Sequence, residues 1–579
     1  MLRKALGWTL IAAMLQLAIV PNMFGAAAAN VETEDCYKRA HEERMPRPTG
    51  YIGANGTFET YDYSHLPDPQ DLIFVCINHT FLPTDVPVEV ENGSSLIPMR
   101  ALVEALGGDV MWEEATNTVT VELDGNVLKL IVNDPVAMVN GNAVSMTVPA
   151  RKMQGRVYIP LRFVSDQLGR SVLWQPQNRI IKVYGYPEIS GQFVHMQANN
   201  STDDYNYGNF FSTSRRYLLE QNGDVHVLEQ YGGELHIKIF SSSFVKQGER
   251  KLPNELPLFG GAHAGEDGNF YVVYAQTNLE ESNTLPVYRI VKYDKDWNKL
   301  DHADIQDVHV TKPLNASNLT MDSHNGKLVV YTGRERYLAD DGLNHQSNIP
   351  IHIRMEDMAV LYKGGQWPRN HVSHSFATYV RMDGDRIVYA DHGDAYPRSI
   401  VLQVEESERM TKEIDLIKFP GEIGDNYTGA HLGGLEVAEN HYLVVGSHMA
   451  PEYLYRPGGS KNVFLASVPK GAENTSDVQI TYLTNHSASS DVSVTETHLV
   501  KVNDNRFVVL WRESGGGHHV YYTVIDGTGK AAGEPKKLDG IPSPGHLTPL
   551  VLGDTLVWYH YDPYYSKEDG VEFYTLVLE

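Results

Sequence analysis

Short apolar runs separated by polar turns fill the chain from residue 187 to its end. One pattern recurs there, in which Asn, Asp or Gly residues are followed at once by an apolar run, as in 222–228 (NGDVHVL) and 267–273 (DGNFYVV). Asn-Gly and Asp-Gly pairs in this setting favour tight hairpins between antiparallel strands. Five further copies begin at Asn325, Asp383, Glu439, Asn503 and Gly553.

The spacing of these seven copies predicts a repeat architecture. Successive copies begin 45, 58, 58, 56, 64 and 50 residues apart, which is the period of a radial or solenoid repeat. A strand on each side of the turn and two more after it make a four-stranded unit, so residues 187–579 are predicted to form an all-β propeller, with seven blades favoured. Six or eight blades, or a tandem of β-sandwiches, are the alternatives. The last unit lacks a fourth strand, and residues 192–195 are predicted to supply it and close the ring.

A different pattern, with an internal repeat, lies in residues 72–186. Residues 96–102 (LIPMRAL) return as 158–164 (YIPLRFV), and the offset of 62 residues persists through the Leu-Gly, Val and Trp that follow each copy. Proline at a helix start costs no hydrogen bond, and glycine just past the helix adopts the left-handed conformation. Each copy therefore predicts a strand end, a short amphipathic helix and a strand that carries a tryptophan.

These residues resemble the copper amine oxidase N-terminal-like (stalk) domain of secreted proteins of Gram-positive bacteria. The resemblance rests on 95–112 (SLIPMRALVEALGGDVMW), on 140–169 and on 172–174 (VLW). It implies a small α+β module that serves as a scaffold or attachment. It does not imply amine oxidase activity, because the sequence lacks the Thr-x-x-Asn-Tyr-Asp/Glu setting of the quinone and the His-x-His copper ligands of the true oxidases. No cofactor and no metal are expected. Arg100 and Arg162 recur by symmetry and are expected to satisfy nearby carbonyls, with a binding role as the alternative.

The first residues are typical of a secretory signal. Arg3 and Lys4 precede an apolar stretch at 5–20, and 27–29 (AAA) fits a small-residue cleavage site. We predict a signal peptide at 1–29 and a polar segment at 30–71; an uncleaved anchor helix is the alternative. After cleavage no transmembrane anchor is expected, and the protein is predicted to be secreted or extracellular, in association with the cell wall.

The chain contains two cysteines, Cys36 and Cys76. An even count in an exported protein predicts one disulfide, and two unpaired thiols are the alternative. Among 579 residues, 48 are Lys or Arg and 73 are Asp or Glu, which gives a net charge of −25. A nucleic-acid partner is therefore not expected, since phosphate binding requires a concentrated basic face. A hydrophobic content of 42% is that of a globular protein.

The densest group of chemically active residues lies in the fourth propeller repeat. Residues 370–376 precede the predicted hairpin and residues 391–398 follow it, so both segments are expected on the same rim. Two imidazoles, a carboxylate, a phenol and a guanidinium can together bind a ligand or perform acid–base chemistry. A polar loop with an arginine that caps carbonyls is the structural alternative. The predicted ligand-binding residues are His374, His392, Asp394, Tyr396 and Arg398.

Histidines also precede or begin several predicted inner strands, which places them near a central channel. We expect these to be polar channel residues, and a catalytic or metal-binding ring is the alternative. Neighbouring rims add Arg and aromatic residues, which suit a glycan or peptide ligand. These rim residues are Arg334, Glu335, Arg336, Tyr337, His448, Arg456, Arg512, Glu513, Tyr559, His560 and Tyr561. The histidines are His263, His374, His431, His498 and His546.

Three functions are compatible with these features. The favoured one is an exported binding protein whose stalk-like module presents the propeller to a polysaccharide or protein ligand of the cell wall or the extracellular space. The second is an extracellular carbohydrate-active hydrolase or lyase on the propeller rim, with Asp391 and Asp394 as a candidate carboxylate pair. The third is a structural envelope protein without a small ligand.

Overall fold

The computed structural model describes residues 35–44, 50–52, 58–60, 68–176, 178–194, 213–449, 459–515, 518–561 and 570–578. Residues 35–579 belong to one compact unit. The predicted signal peptide, 1–29, lies outside the described residues. No helix among the described residues is long and apolar enough to cross a membrane.

A short helix, which the sequence patterns did not predict, begins the described chain. Helix α1 (Cys36–Glu43) starts at Asp35, whose side chain accepts a hydrogen bond of 2.8 Å from the Lys38 amide. Strands β1 (Gly50–Ile52) and β2 (Phe58–Thr60) form a hairpin after it. The predicted disulfide is confirmed: Cys36 is bonded to Cys76 in strand β3, so that α1 is covalently tied to the next sheet.

Three small sheets and two helices follow, over residues 74–183. The two halves of the internal repeat pair with each other, since Ile97 stands opposite Ile159 in an antiparallel register. Each helix begins after the proline of its copy, and Gly107 and Gly169 follow with φ of 84° and 71°, as a left-handed helix end requires. The sheets have the strand orders β14-β15-β3-β4, β12-β13-β6-β5 and β11-β10-β9-β8-β7. The elements are β3 (Phe74–Ile77), β4 (Thr80–Phe81), β5 (Glu89–Glu91), β6 (Ser94–Pro98), α2 (Met99–Ala105), β7 (Asp109–Glu113), β8 (Thr118–Leu123), β9 (Asn126–Ile131), β10 (Val136–Val139), β11 (Asn142–Ser145), β12 (Arg151–Met153), β13 (Arg156–Pro160), α3 (Leu161–Gln167), β14 (Val172–Gln175) and β15 (Ile180–Val183).

The described residues from 189 to 577 form seven antiparallel sheets, one of five strands and six of four. Each predicted Asn/Asp/Gly turn joins an inner strand to the next strand of the same sheet. The first to third sheets contain β17 (Arg216–Gln221), β18 (Asp224–Tyr231), β19 (Glu234–Ser241) and β20 (Lys246–Pro253); β21 (Leu258–Ala264), β22 (Phe270–Ala275), β23 (Tyr288–Tyr293) and β24 (Lys299–Ile305); and β25 (Val310–Pro313), β26 (Leu319–His324), β27 (Lys327–Leu338), β28 (Asn344–Arg354) and β29 (Val360–Tyr362). The fourth to sixth contain β30 (Ser375–Asp383), β31 (Arg386–Asp394), β32 (Arg398–Glu406) and β33 (Arg409–Lys418); β34 (Ala430–Val437), β35 (His441–Met449), β36 (Lys461–Pro469) and β37 (Gln479–Tyr482); and β38 (Ser493–Asn503), β39 (Arg506–Ser514), β40 (His518–Ile525) and β41 (Lys536–Asp539). The seventh contains β42 (Leu550–Leu552), β43 (Thr555–His560), β44 (Val571–Val577) and β16 (Ile189–Val194).

The inner strands of successive sheets contact one another in a closed cycle, β17-β21-β26-β30-β34-β38-β42 and back to β17. Glycines permit the closest of these approaches. A Cβ at Gly433 would lie 1.9 Å from the Thr497 hydroxyl, and one at Gly261 would lie 2.8 Å from the Tyr217 hydroxyl. The residues therefore form a mostly β, propeller-like ring around a central channel.

The predicted closing strand is confirmed. Strand β16 pairs antiparallel with β44, with Gln192 opposite Phe573, and it supplies the fourth strand of the seventh sheet. The ring is thus closed by residues from both ends of the β region.

The N-terminal part of the compact unit and the seventh sheet share a buried contact. Lys182 and Glu572 are 0% and 1% exposed, and the Lys182 ammonium lies 2.9 Å from the Glu572 carboxylate. Tyr37 and Tyr184 also donate hydrogen bonds to that carboxylate, and Lys182 donates to the Tyr574 hydroxyl at 2.7 Å. Apolar side chains of α1, β3 and β15 join the core of the sixth and seventh sheets around this network.

Candidate functional site

The rim of the fourth sheet brings together two of the five predicted ligand-binding residues. Nδ1 of His374 lies 2.8 Å from Oδ1 of Asp394. Asp394 is fully buried at the end of β31, and no described group, His374 included, makes a hydrogen bond of good geometry to its carboxylate. His374, just before β30, is partly exposed and has φ of 55°, a conformation that is uncommon for a residue with a side chain. The pair is a partly exposed histidine in close contact with a buried carboxylate.

His392 points to a neighbouring sheet and not to this pair. Its Nε2 lies 2.8 Å from the Thr428 hydroxyl, which precedes the fifth sheet. Burial lowers the pKa of His392 well below its usual value, and the nearby His431, Lys461 and His448 add to the effect. His392 is therefore a neutral imidazole at neutral pH.

Tyr396 is 64% exposed on the rim and precedes a cis proline. Arg398 has a different role from the predicted one. Its guanidinium donates hydrogen bonds of 2.7–3.1 Å to the carbonyls of Asp394, Pro420, Asp425 and Tyr427. Arg398 therefore fastens the loop between the fourth and fifth sheets, which is the carbonyl-capping alternative.

The candidate carboxylate pair, Asp391 and Asp394, does not form. The two residues are three positions apart on β31, so their side chains point to opposite faces of the sheet. Asp391 accepts hydrogen bonds from Tyr331 at 2.6 Å and from Ser375 at 2.9 Å. Burial raises the pKa of Asp391 to about 7, against the effect of these two hydrogen bonds. A glycosidase mechanism with these two carboxylates astride one bond is excluded by their placement.

Several other rim residues singled out in the sequence have internal partners. Arg334 is fully buried and donates to the carbonyls of Val308 and Gly365. The Tyr559 hydroxyl donates to Glu229 at 3.3 Å, and Glu513 lies 2.9 Å from His486. Arg456 lies outside the described residues. At these described positions, the polar groups of the rim residues are thus engaged within the protein.

Polar side chains converge instead in the central channel, which encloses a cavity of about 300 Å³. Six of the seven sheets, or the segments leading into them, contribute to the described lining. His431, His498 and His546 all lie in it, as the sequence predicted for channel histidines, whereas His263 and His374 are not among the lining residues. The other charged or aromatic residues of the lining are Arg216, Tyr217, Tyr379 and Glu496.

Two of the channel histidines, His431 and His498, are held in the neutral form. Burial lowers the pKa of His431 to about 3, with contributions from Lys461 and His546. Burial also lowers the pKa of His498 to about 4, although the neighbouring Glu496 opposes the shift. The His498 ring hydrogen-bonds through Nε2 to the Gly545 carbonyl at 3.0 Å. Neutral imidazoles can both donate and accept hydrogen bonds.

Two channel residues were missed by sequence reasoning. Glu496 accepts a hydrogen bond of 2.6 Å from Arg512, and hydrogen bonds from Ser543 and Arg512 lower its pKa against the effect of burial. Its spacing of two residues from His498 places both on one face of β38, a signal that the sequence did offer. Tyr379 lies on β30; burial raises its pKa to about 12, and its hydroxyl makes no hydrogen bond to a described residue. No cluster of three or more His, Cys, Asp or Glu suited to a metal ion occurs among the described residues.

Comparison with protein families recognises one part of the chain. Residues 76–183 match the model of the copper amine oxidase N-terminal domain, in agreement with the resemblance found in the sequence. This match covers less than a fifth of the 579 residues. A search of curated proteins with the chain finds no match.

Solved structures similar to the chain cover a little more than half of it. Hydrazine synthase of Kuenenia stuttgartiensis is 10% identical over 57% of this chain and 80% of its own, with a TM-score of 0.34. An alpha-L-arabinanase of Penicillium chrysogenum, complexed with arabinobiose, is 13% identical over 55% and 94%, with a TM-score of 0.34. BamB of Moraxella catarrhalis is 8% identical over 62% and 99%, with a TM-score of 0.31. TM-scores this low carry no argument about this chain. The ring is defined by its own strand pairing and by the contacts of its inner strands.

Proposed function

We propose that the chain is an exported binding protein in which residues 189–577 form a seven-bladed β-propeller that binds a polysaccharide at the mouth of its central channel. The α+β module at 72–186 presents the propeller at the cell wall or in the extracellular space. The seven sheets and the cyclic contacts of their inner strands support the blade number. The signal-like residues 1–29 and the disulfide support export.

The observation that carries the binding proposal is the convergence of neutral and charged polar groups on one cavity. His431, His498 and Tyr379 offer hydrogen-bond donors and acceptors, and Glu496 and Arg216 add one charge of each sign. Ligand sites typically combine a concave surface with a few convergent polar groups. Neutral donors and acceptors beside aromatic rings match the hydroxyl groups and apolar faces of sugars. A protein loop inserted into the channel is the other ligand that this lining accepts.

The Tyr379 hydroxyl allows a direct test. Tyr379→Phe removes a hydroxyl that has no hydrogen-bond partner among the described residues, so the thermal midpoint should change little. If the hydroxyl contacts a sugar, binding measured on a glycan array and by calorimetry should weaken about five- to tenfold, the equivalent of one neutral hydrogen bond.

Tyr288→Phe is the matched control. The Tyr288 hydroxyl also makes no hydrogen bond to a described side chain, but it is buried between the second and third sheets and does not line the channel. Its loss should leave glycan binding unchanged. Equal effects of the two substitutions, or glycan binding that neither changes, would reject the channel as the site. The complete absence of a glycan or protein ligand would favour a structural envelope protein.

The His374–Asp394 pair favours a second candidate, an extracellular carbohydrate-active hydrolase or lyase. A buried carboxylate 2.8 Å from an imidazole can favour the protonated form of that ring and so assist a general base. The left-handed backbone of His374 is a local cost that active sites often carry. Incubation with polysaccharides should then release reducing ends or unsaturated sugars, and His374→Ala should abolish the release. A protein that releases neither from any polysaccharide that it binds would be a binding protein.

A further inference from the structure

A second cavity, of about 670 Å³, lies in the N-terminal module. It opens between the edge strands β5 and β14 and the start of helix α3. Two aromatic rings, Trp174 and Phe163, stand beside the charged groups of Arg162, Asp166 and Arg179. Hydroxyl groups of Ser94, Ser95, Ser145 and Thr147 complete the polar part of the lining. The cavity therefore has aromatic surfaces, charges of both signs and hydroxyls within one groove.

The internal repeat provides a comparison within the same molecule. At the offset of 62 residues, Trp112 corresponds to Trp174. The indole nitrogen of Trp112 donates to Glu114 at 2.9 Å, and the Lys152 ammonium lies 5.2 Å from the centre of its ring. Trp174 is 39% exposed, and no described residue makes a hydrogen bond or a cation–π contact with its indole ring. The tryptophan of the first copy is thus occupied by the protein, and that of the second is open.

The charged residues of the two copies differ in the same way. Arg100 of the first copy pairs with Glu104 at 3.5 Å on helix α2. The corresponding Arg162 and Asp166 on helix α3 form no ion pair with each other or with another described residue, and Arg162 donates instead to the Val172 carbonyl at 3.3 Å. Partial burial raises the pKa of Asp166, although Arg162 opposes this. Where the first copy has Ala101, the second has Phe163, which adds an aromatic surface to the groove.

We infer that the groove of the second copy is a binding site for a strand of β-linked pyranose polysaccharide. Trp174 and Phe163 supply flat surfaces for the apolar faces of sugar rings, and Asp166, Arg162 and the serine hydroxyls meet the ring substituents. Aromatic side chains next to fixed polar groups bind ligands of this mixed character. The module therefore takes part in attachment through a site of its own, separate from the channel of the β ring.

The test compares Trp174→Ala with Trp112→Ala in the full chain. The probes are β-1,4-linked hexasaccharides of N-acetylglucosamine, glucose and xylose, together with isolated cell-wall glycan. Trp174→Ala should weaken binding to at least one probe tenfold or more, whereas Trp112→Ala should leave it unchanged because that ring is already covered. Trp174→Phe, which keeps a stacking surface, should retain most of the affinity.

The outcomes separate this site from the channel. If Trp174→Ala lowers affinity and Tyr379→Phe does not, the groove binds the glycan whether or not the channel does. If Tyr379→Phe alone lowers affinity, the groove site is refuted and the channel stands. Unchanged binding of every probe by Trp174→Ala, no binding of any probe by the wild-type chain, or an effect confined to the thermal midpoint also overturns the inference.

Discussion

The buried contact between Lys182 and Glu572 gives the most direct test of how the module is held to the ring. Lys182→Met keeps the length and apolar stem of the side chain and removes its charge. Glu572, which is 1% exposed, then loses its cationic partner. Breaking one half of a buried pair costs about 3–5 kcal/mol. The hydroxyls of Tyr37 and Tyr184 still donate to Glu572, so we expect a loss near the lower end, about 3 kcal/mol.

The pH dependence of this loss follows from Glu572. In the wild-type protein burial alone would raise its pKa, but Lys182 and the other partners lower it below the usual value. The stability that this lowered pKa gives the folded protein is fully present above the ordinary pKa of a glutamate. It is lost as the pH falls through the lowered pKa of Glu572. Without Lys182, burial is no longer balanced and the pKa rises. The carboxyl group can then become neutral at mildly acidic pH, and the penalty in Lys182→Met should shrink between pH 8 and pH 5.

The assay is urea denaturation of the wild type, Lys182→Met and Lys182→Met/Glu572→Gln at both pH values. The double variant replaces the ion pair by neutral groups and should recover much of the lost stability, since neutral replacements of buried pairs are often tolerated. A loss below about 1 kcal/mol, or one that is the same at pH 5 and pH 8, would refute the view that a desolvated charge is responsible.

Three further predictions concern stability. Arg398→Ala should destabilise the protein by roughly 2–4 kcal/mol in denaturant unfolding, because several charge-assisted hydrogen bonds to the loop that follows the fourth sheet are lost. Unchanged stability together with weaker ligand binding would instead support the predicted binding role of Arg398. Replacing Cys36 and Cys76 together by serine should lower the free energy of unfolding by roughly 4 kcal/mol, the value that the chain-entropy model gives for a separation of 40 residues. The same denaturant assay measures it, and no change would show that the disulfide to helix α1 is dispensable. The pKa values of His431 and His498 are lowered to about 3 and about 4, so the unfolded chain takes up protons first and thermal stability should fall as the pH drops from about 6.5 to 4. His431→Gln should flatten this profile, and an unchanged profile would contradict the assignment.

The fold could be predicted largely from the sequence because its signals are local. Each hairpin has its own Asn, Asp or Gly turn, and the missing strand of the last repeat could be counted. The two helices of the module were equally visible, since Pro98 and Pro160 precede them and Gly107 and Gly169 follow. Helix α1 was missed because it is short and polar and is held by a disulfide and by packing against distant residues.

The rim site was harder to predict because its contacts are made across the chain. His374 and Asp394 lie 20 residues apart, but they flank the same hairpin, which correctly predicts that both lie on one rim. The role of Arg398 depends on carbonyls at 420–427, whose path no local pattern reveals. The opposite faces of Asp391 and Asp394 follow from strand periodicity, because residues three positions apart on one strand point to opposite faces of the sheet. The proximity of His431 and His546 could not be predicted from either segment, because it depends on the closed ring of sheets.

The pairing of β16 with β44 has a consequence for the order in which the molecule matures. Residues 189–194 leave the ribosome about 380 residues before their partners at 571–576. At 5–20 residues per second, that interval lasts roughly 20–80 s. Until the carboxyl-terminal strand is made, the seventh sheet lacks its last members and the circle stays open. A chain interrupted before residue 571 therefore has no finished ring, and such a fragment should be recognised and degraded as an unfolded one.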